Sequence, residues 1–570
     1  MRQAYLLGLS ALALLAGCSA ADNNAVVTAT SLPSGLCFSG GPIYTADDSN
    51  PTAQGLAISR KTITYVGPDA GNWCAQHAGK GARNIDLSGA ALFPGFTDGH
   101  GHLMEIGIKE MSLKLTDIKS IPELQARLKT AVDTTPKGET IFSRGWIETH
   151  WPEKRFPTKD DLDAVSPDHP VVLERADGHA VVVNSAMLAL AGIDGDTPSP
   201  DGGDILKGVD GSPTGMLIDK AAFLVLPFHP ELTEARKREA YIKGASLYAS
   251  RGWTNIHAVS FDPADMTLAE GLVDGGDIGL RVYGSVLSPN GKVMPGSNAV
   301  QTDLDNHFTM RAIKLYVDGA LGSRGAALFE DYSDDPGNLG IMRMQRDASI
   351  AIFKDALRTG TQVTAHAIGD KANRELLDWF EAAFDAVPVS ERAVAEPRWR
   401  VEHAQILSLD DLARFKALGV IPSMQPSHAI GDLHFAVDRL GLSRLEGAYA
   451  WRSLIDAGAI IVGGTDAPVE VGDPMIEFYA AVTRKDLNGF SGPGWYPSEV
   501  VSRDDALKMF TLWPAVGAFQ DHGLGSLTVG KRADISVFDK DIMTVDGPDI
   551  LEAKAVMTVV DGEIIFNATQ

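Results

Sequence analysis

From about residue 93 to about residue 520, short β-rich runs alternate with longer helical stretches. The β-rich runs follow period-two or continuous apolar patterns and the helical stretches follow period 3.6, so regular alternation points to parallel strands joined by crossover helices. Eight β-rich runs can be placed, at 92–102, 253–259, 280–286, 310–318, 361–366, 399–404, 420–425 and 460–466. The expected fold is therefore α/β, a (β/α)8 barrel of the TIM type spanning 93–520. The first two runs are separated by an excursion of about 105–248, which contains the strand-like IFSRGW and VVLERADGHAVVV and a Gly/Asp/Pro-rich patch at 194–215. Insertions of this kind sit at barrel rims and shape the pocket.

The ends of the chain carry a different pattern. GPIYTA, AQGLAISRKTITYVGP and NIDLSGAAL within 35–92, and GSLTVGKRADISVFDKD and AVMTVVDGEIIFN within 521–570, are short β-like runs broken by turns, the last with an Asp-Gly hairpin signal. The two pieces are expected to pair as one small β-sandwich beside the barrel. Ahead of them, the apolar run AYLLGLSALALLA at 4–16 follows Arg2 and is too short for a comfortable membrane span, but it suits the core of a signal peptide. It ends in Leu15-Ala16-Gly17-Cys18, which resembles the lipobox of bacterial lipoproteins. That resemblance implies a signal peptide at 1–17, acylation of Cys18, a flexible tether at 18–34 and a protein exported and lipid-anchored in the cell envelope, on the outer membrane or a periplasmic face. The alternative is an ordinary secretory signal with a coincidental cysteine.

Composition narrows the partners. With 50 Lys plus Arg against 74 Asp plus Glu, the net charge of −24 repels phosphate backbones, so no nucleic acid partner is expected, and a membrane is met only through the lipid anchor. A homo-oligomer stays open. The chain holds 3 Cys; with Cys18 acylated, Cys37 and Cys74 remain, and an exported protein with two cysteines in one small domain predicts a Cys37–Cys74 disulfide over two buried thiols.

Candidate chemistry lies at the strand ends. PGFTDGHGH sets His100 and His102 two apart, so both imidazoles leave one face and converge on one point, as a divalent transition metal requires. On its own H-x-H is a weak signal. Four further residues raise it: Lys314 in IKLYVDG, His366 in VTAHAIGD, His403 in VEHAQI and Asp466 in GGTDAPV each sit at or near the C-terminal end of a predicted strand, where barrel active sites assemble. A lysine snorkelling from a strand edge is the bland reading of Lys314, and its neighbours weigh against it.

PGFTDGHGH, IKLYVDGALGSR, TAHAIGDKAN, VEHAQI, GGTDAPV and GSLTVGKRADISVFD resemble, in that order, the amidohydrolase superfamily, specifically amidohydrolase family 3 and its branch similar to N-substituted formamide deformylase. The resemblance implies an enzyme, a metal-dependent hydrolase of carbon–nitrogen bonds other than peptide bonds, with one or two divalent ions, zinc first. His100, His102 and Asp466 would hold the more buried ion and His366 and His403 the outer one. Lys314, carboxylated by carbon dioxide, would bridge them, because a carbamate supplies two anionic oxygens where an amine is a poor ligand. Asp466 would be the catalytic base for metal-activated hydroxide. The expected partner is a small linear amide of the N-substituted formamide kind; a cyclic amidase or lactonase on the same barrel is the second reading, and a non-catalytic surface binding lipoprotein the third.

A further set of residues carries weaker expectations for substrate contact or support of the ligands. Asp98 either orients a ligand imidazole or caps a turn. Asp318 and Arg324, in DGALGSR, either hold substrate or are loop charges. His179 and His428 either resemble pocket-lining positions of the same branch or are histidines paired within a rim loop, and Trp146 either offers an apolar wall or, as an aromatic beside a Gly, is packing. The remaining histidines, His257 and His307 among them, read as surface or structural.

Overall fold

The computed structural model describes residues 35–568 except 78–81, 116–117, 149–150, 176–179, 201–202, 230–231, 289–303 and 493. The signal-like run, Cys18 and the tether lie outside the described residues, and so does His179. Among the described residues no helix is long and apolar enough to cross a membrane.

Eight parallel strands form one sheet in chain order: β1 (Phe96–Gly101), β2 (Trp253–Phe261), β3 (Arg281–Leu287), β4 (Phe308–Tyr316), β5 (Gln362–Ala367), β6 (Arg400–His403), β7 (Ile421–Met424) and β8 (Val462–Gly463). The sheet nearly closes on itself. Past the short β8, Asp466 N–H donates to His100 O at 2.6 Å and His102 N–H donates to Ala467 O at 2.8 Å, which ties the eighth strand end to the first. Gly464 permits that approach, since a Cβ there would stand 2.5 Å from His100 N.

The run expected at 92–102 is two strands. Ala91–Pro94 joins the terminal sheet and Phe96–Gly101 begins the barrel. The break falls at Gly95, whose N–H goes to Asp534 O at 2.8 Å and whose missing side chain makes room for Thr254 Oγ1. Pro94 has no N–H to continue a ladder through the break.

Helices clothe the barrel by ordinary amphipathic logic. In Asp370–Ala386 the buried Ala372, Leu376, Phe380 and Ala383 recur at helical spacing. Phe380 packs with its ring tilted against Phe353 and Trp399, centroids 4.8 and 5.0 Å apart, seating the helix against the strand that carries His403. The helix stops at Pro388.

The terminal pieces form an eight-stranded mixed sheet in which the C-terminal strands lie side by side and join the N-terminal ones where Ile535–Phe538 pairs with Ala91–Pro94. Alternation sorts its two faces. Leu92, Ile535, Val537 and Val559 build a core with Leu36, Phe38 and Leu56, whereas Phe93 and Phe538 turn to the barrel and pack with Phe96. Cys37 and Cys74 are joined by a disulfide, Cα atoms 6.5 Å apart, pinning the helix Ala70–His77 to this sheet.

The rim excursion folds as a five-stranded sheet ordered Gly203–Lys207, Pro213–Asp219, Ala180–Val183, Val171–Arg175 and Ile141–Trp146, with a separate apolar cluster on each face. Trp146 belongs to one of those clusters. It is fully buried, and its Nε1–H donates to Leu173 O at 2.8 Å. Of the two readings, packing holds and the pocket wall is corrected: the register shifts between Arg144 and Trp146, and this bulge at Gly145 turns Trp146 onto the Ile141 face, into the insertion's own core.

Candidate metal centre

The strand ends gather the expected side chains at the C-terminal mouth. His102 Nε2 lies 3.0 Å from Asp466 Oδ1, and His100 Nε2 lies 3.5 Å from the same oxygen. His428 Nε2 stands 3.6 Å from Asp466 Oδ2. Two potential ligand groups result, His100/His102/Asp466 and His403/His428/Asp466, each with its ligand atoms within 4.8 Å of one another and sharing Asp466. Backbone shape helps to place them: His403, Ala404 and Asp466 take φ of 76°, 44° and 56°, the left-handed region that non-glycine residues enter at a cost and that is common where side chains are aimed at a site.

Lys314 is buried on β4 with Nζ 3.4 Å from His100 Nε2. Burial lowers its amine to about 8, although Glu402 and Asp466 pull the other way. His366 lies beside His403, ring centroids 4.6 Å apart, with its Nε2 held 3.3 Å from both Gly319 O and Asp318 Oδ1. The nitrogen left to His366 is Nδ1. In the second ligand group it is His428, not His366, that stands with His403.

Beneath His100 runs a buried ion network. His100 Nδ1 is hydrogen-bonded to Glu402 Oε2; Glu402 is paired with Arg400, Nε to Oε1 at 2.7 Å. Arg400 crosses the barrel interior to donate to Gly99 O at 2.6 Å and Ser423 Oγ at 2.8 Å, and its Nη1 faces His257 Nδ1 at 2.8 Å. Burial would raise the Glu402 carboxyl, but Arg400 and His100 outweigh it and hold it well below the usual range. A carboxylate behind the second nitrogen of a histidine fixes ring and tautomer for metal binding. His403 has a counterpart in Gln425, Oε1 to Nδ1 at 2.9 Å.

The smaller expectations sort as follows. Asp98 does not orient an imidazole; fully buried, it accepts from His100 N (3.0 Å), Thr465 N (2.9 Å), Thr465 Oγ1 (2.7 Å) and Tyr248 Oη (2.8 Å), locking the H-x-H segment to the Asp466 segment. Burial pushes its carboxyl up to about 6 against those bonds. Asp318 is not a substrate clamp either: it accepts from Ala327, Ile368 and Gly369 N–H groups and supports His366. Arg324 is engaged by Asp334 at 3.1 and 2.8 Å and braces its loop instead of reaching the centre. Sequence reasoning missed Glu402, Arg400, Gln405 and Gln425. The available signal was Arg400 and Glu402, opposite charges two apart in a strand with no exposed face.

The donors suit a divalent cation. Metal ligation needs neutral imidazoles and ionised carboxylates. Burial, with Lys314 adding to it, lowers His100 to about 4 against Glu402, and burial with the neighbouring His366 and His100 drives His403 well below its ordinary value. Burial works to raise Asp466, but the hydrogen bond from His102 and the imidazoles of His100, His403 and His428 keep it well below the carboxylate range.

Fold and site together define a metal-dependent hydrolase of barrel architecture. Residues 83–566 match the model of the amidohydrolase family, and the chain belongs to that family. It is 30% identical over 532 residues to a putative amidohydrolase, YtcJ, of Bacillus subtilis, covering 92% of this chain and 98% of that one. It is 27% identical over 556 residues to N-substituted formamide deformylase of Arthrobacter pascens, covering 92% and 97%. Among solved structures it is similar to an uncharacterized metal-dependent hydrolase from Pyrococcus horikoshii, with TM-score 0.72 and 28% identity over 90% of this chain and 99% of that one.

Proposed function

We propose that this protein hydrolyses the carbon–nitrogen bond of a small linear amide, N-substituted formamides being the nearest precedent, at a zinc centre. The carrying observation is Asp466: one carboxylate, held between the His100/His102 pair and the His403/His428 pair, with Oδ1 3.0 Å from His102 Nε2 and Oδ2 3.6 Å from His428 Nε2. The relative named for N-substituted formamide deformylase, aligned over 97% of its length, supports the substrate class.

A divalent ion, when bound, supplies Lewis acidity, polarising a carbonyl and lowering the pKa of coordinated water from ~15.7 to about 7. The chain's own residues do the rest. His100, His102, His366 and His403 offer ring nitrogens, and Glu402, Asp318 and Gln425 hold three of those rings in place. Asp466 takes a proton from the attacking water and returns it to the departing amine, which otherwise leaves as a poor leaving group. Lys314, carboxylated by carbon dioxide with its amine proton passing to solvent, would offer carbamate oxygens to the ion. A buried amine lowered to about 8 keeps a neutral fraction able to attack carbon dioxide, and its Nζ already faces His100 Nε2.

The disulfide between Cys37 and Cys74 supports an exported protein, since disulfides persist in oxidising compartments. Acylation of Cys18 completes that proposal, and Cys18→Ser is expected to shift the protein from the membrane fraction to the soluble one.

The test of the activity is a panel on zinc-loaded protein containing N-alkylformamides, cyclic amides and lactones. Release of formate and amine is the expected result. Turnover of lactones or cyclic amides without formamides would replace the reading by the second one. Carbon-13 bicarbonate should give a carbamate signal that Lys314→Met lacks.

A further inference from the structure

Two neighbouring strand ends exchange glutamines across the centre. The chain leaving β6 carries His403 and Gln405; the chain leaving β7 carries Gln425 and His428. Each glutamine serves the other strand's histidine. His403 Nδ1 meets Gln425 Oε1 at 2.9 Å, whereas His428 Nδ1 meets Gln405 Nε2 at 3.0 Å.

The chemistry of those two contacts is opposite. An amide oxygen only accepts, so His403 carries its hydrogen on Nδ1 and keeps the Nε2 lone pair for a metal. The Gln425 amide is set in that sense by its own Nε2–H, which donates to Ser423 O at 3.4 Å. An amide nitrogen only donates, so His428 uses its Nδ1 lone pair to accept from Gln405, and the neutral ring carries its hydrogen on Nε2. A nitrogen bearing hydrogen has no lone pair to give a metal. His428 Nε2 is buried with no hydrogen-bond partner; the nearest carboxylate oxygens, Asp466 Oδ2 at 3.6 Å and Glu470 Oε1 at 3.8 Å, are beyond bonding distance. A buried donor left without an acceptor is costly, and it is tolerated where a ligand will supply the acceptor.

We infer that His428 is a hydrogen-bond donor to the substrate and not a metal ligand: its Nε2–H meets the amide carbonyl oxygen as negative charge builds there. The hydrogen stays on the ring throughout, so His428 acts by charge stabilisation and exchanges no proton. This rests on the amide-hydrolase reading above. It separates two groups that geometry alone makes equivalent, leaving His403 as ligand and His428 as the polar contact that selects a carbonyl compound.

The experiment measures zinc per chain and steady-state kinetics of His428→Phe and Gln405→Met beside the wild type, all loaded identically. His428→Phe is expected to keep the wild-type metal count and lose ~10²–10³-fold in kcat, the usual effect of removing one such donor. Gln405→Met removes the donor to Nδ1 and with it the preference for the Nε2–H tautomer, and is expected to lower kcat less than His428→Phe does, with the metal count intact; close to Gln in size, it serves should His428→Phe misfold. Loss of metal in His428→Phe would overturn the inference by making His428 a ligand, and full kcat with full metal would overturn it by making the ring a bystander. A wild type that binds zinc but turns over no amide would sink the proposed function instead, and the metal count would still decide whether His428 is a ligand.

Discussion

Two buried arginine–carboxylate networks stand in different parts of this barrel. In the lumen, Arg400 pairs with Glu402, and the carboxylate's other oxygen is committed to His100. At the start of β3, Arg281 pairs with Asp534 at 2.6 Å and with Asp561, and it donates to Leu304 O at 2.7 Å. Here the spare capacity goes to backbone: Asp534 Oδ1 accepts Asp561 N–H at 2.9 Å. The chemistry of the two pairs is the same, but the one facing the mouth orients a potential metal ligand, whereas the other fastens the C-terminal strands to the barrel. What a buried ion pair does is set by where its last acceptor is directed, and burial does not reveal it.

Substitutions should separate the two roles. The largest effect is expected at the point the lumen network serves. Asp466→Asn removes the base but leaves an oxygen for the metal, so kcat should fall by ~10²–10⁴-fold while much of the metal is retained; a fully active variant would refute the assignment of the base. Next, Arg281→Met strands Asp534 and Asp561 as unpaired buried carboxylates and should destabilise the protein by about 3–5 kcal/mol in chemical denaturation. Its zinc count and kcat below the transition should stay at wild-type values. Glu402→Gln should do the reverse: metal affinity falls by ~10–100-fold in competition with a chelator, because His100 loses the partner that fixes its ring. If Arg281→Met lost metal as readily as Glu402→Gln, the two networks would not be separable in the way the contacts indicate.

The barrel and the gathering of the candidate side chains at its mouth were legible because they depend on local pattern. Eight β-rich runs with helical stretches between them specify a parallel sheet, and His100, His366, His403 and Asp466 each end such a run. What was illegible depends on contacts between distant residues. Glu402 looks like any strand polar residue until Arg400 and His100, 302 positions away, are seen around it. Asp98 looks like a ligand-orienting carboxylate and turns out to bind backbone 367 positions on. Trp146 beside Gly145 reads as wall or packing, and only its contacts show that its sheet has a core of its own. The split of 92–102 was signalled by Pro94-Gly95, but only the approach of Thr254 shows why the chain must change sheets there.

The smallest effect concerns acid. Burial acts to raise the Asp561 carboxyl, but the hydrogen bond from His307 and the charges of Arg281 and Arg532 outweigh it, and the carboxyl is lowered from 3.8 to about 2. Lys61 adds a further ammonium 3.4 Å away, and Asp534 is the neighbouring acid, bound to the same Arg281. A carboxyl with a depressed native value binds its proton more weakly folded than unfolded. Its contribution to stability is therefore complete above about pH 4 and is lost as the pH falls towards 2. Asp561→Asn resembles the protonated side chain and has no such window. The stability difference between metal-free wild type and Asp561→Asn, read from urea midpoints, should be constant above pH 5 and shrink steadily between pH 4 and pH 2. The corresponding difference for Asp534→Asn would show whether the window belongs to Asp561 or to the pair; a gap that stayed constant down to pH 2 would mean that the Asp561 charge contributes nothing to holding the terminal sheet on the barrel.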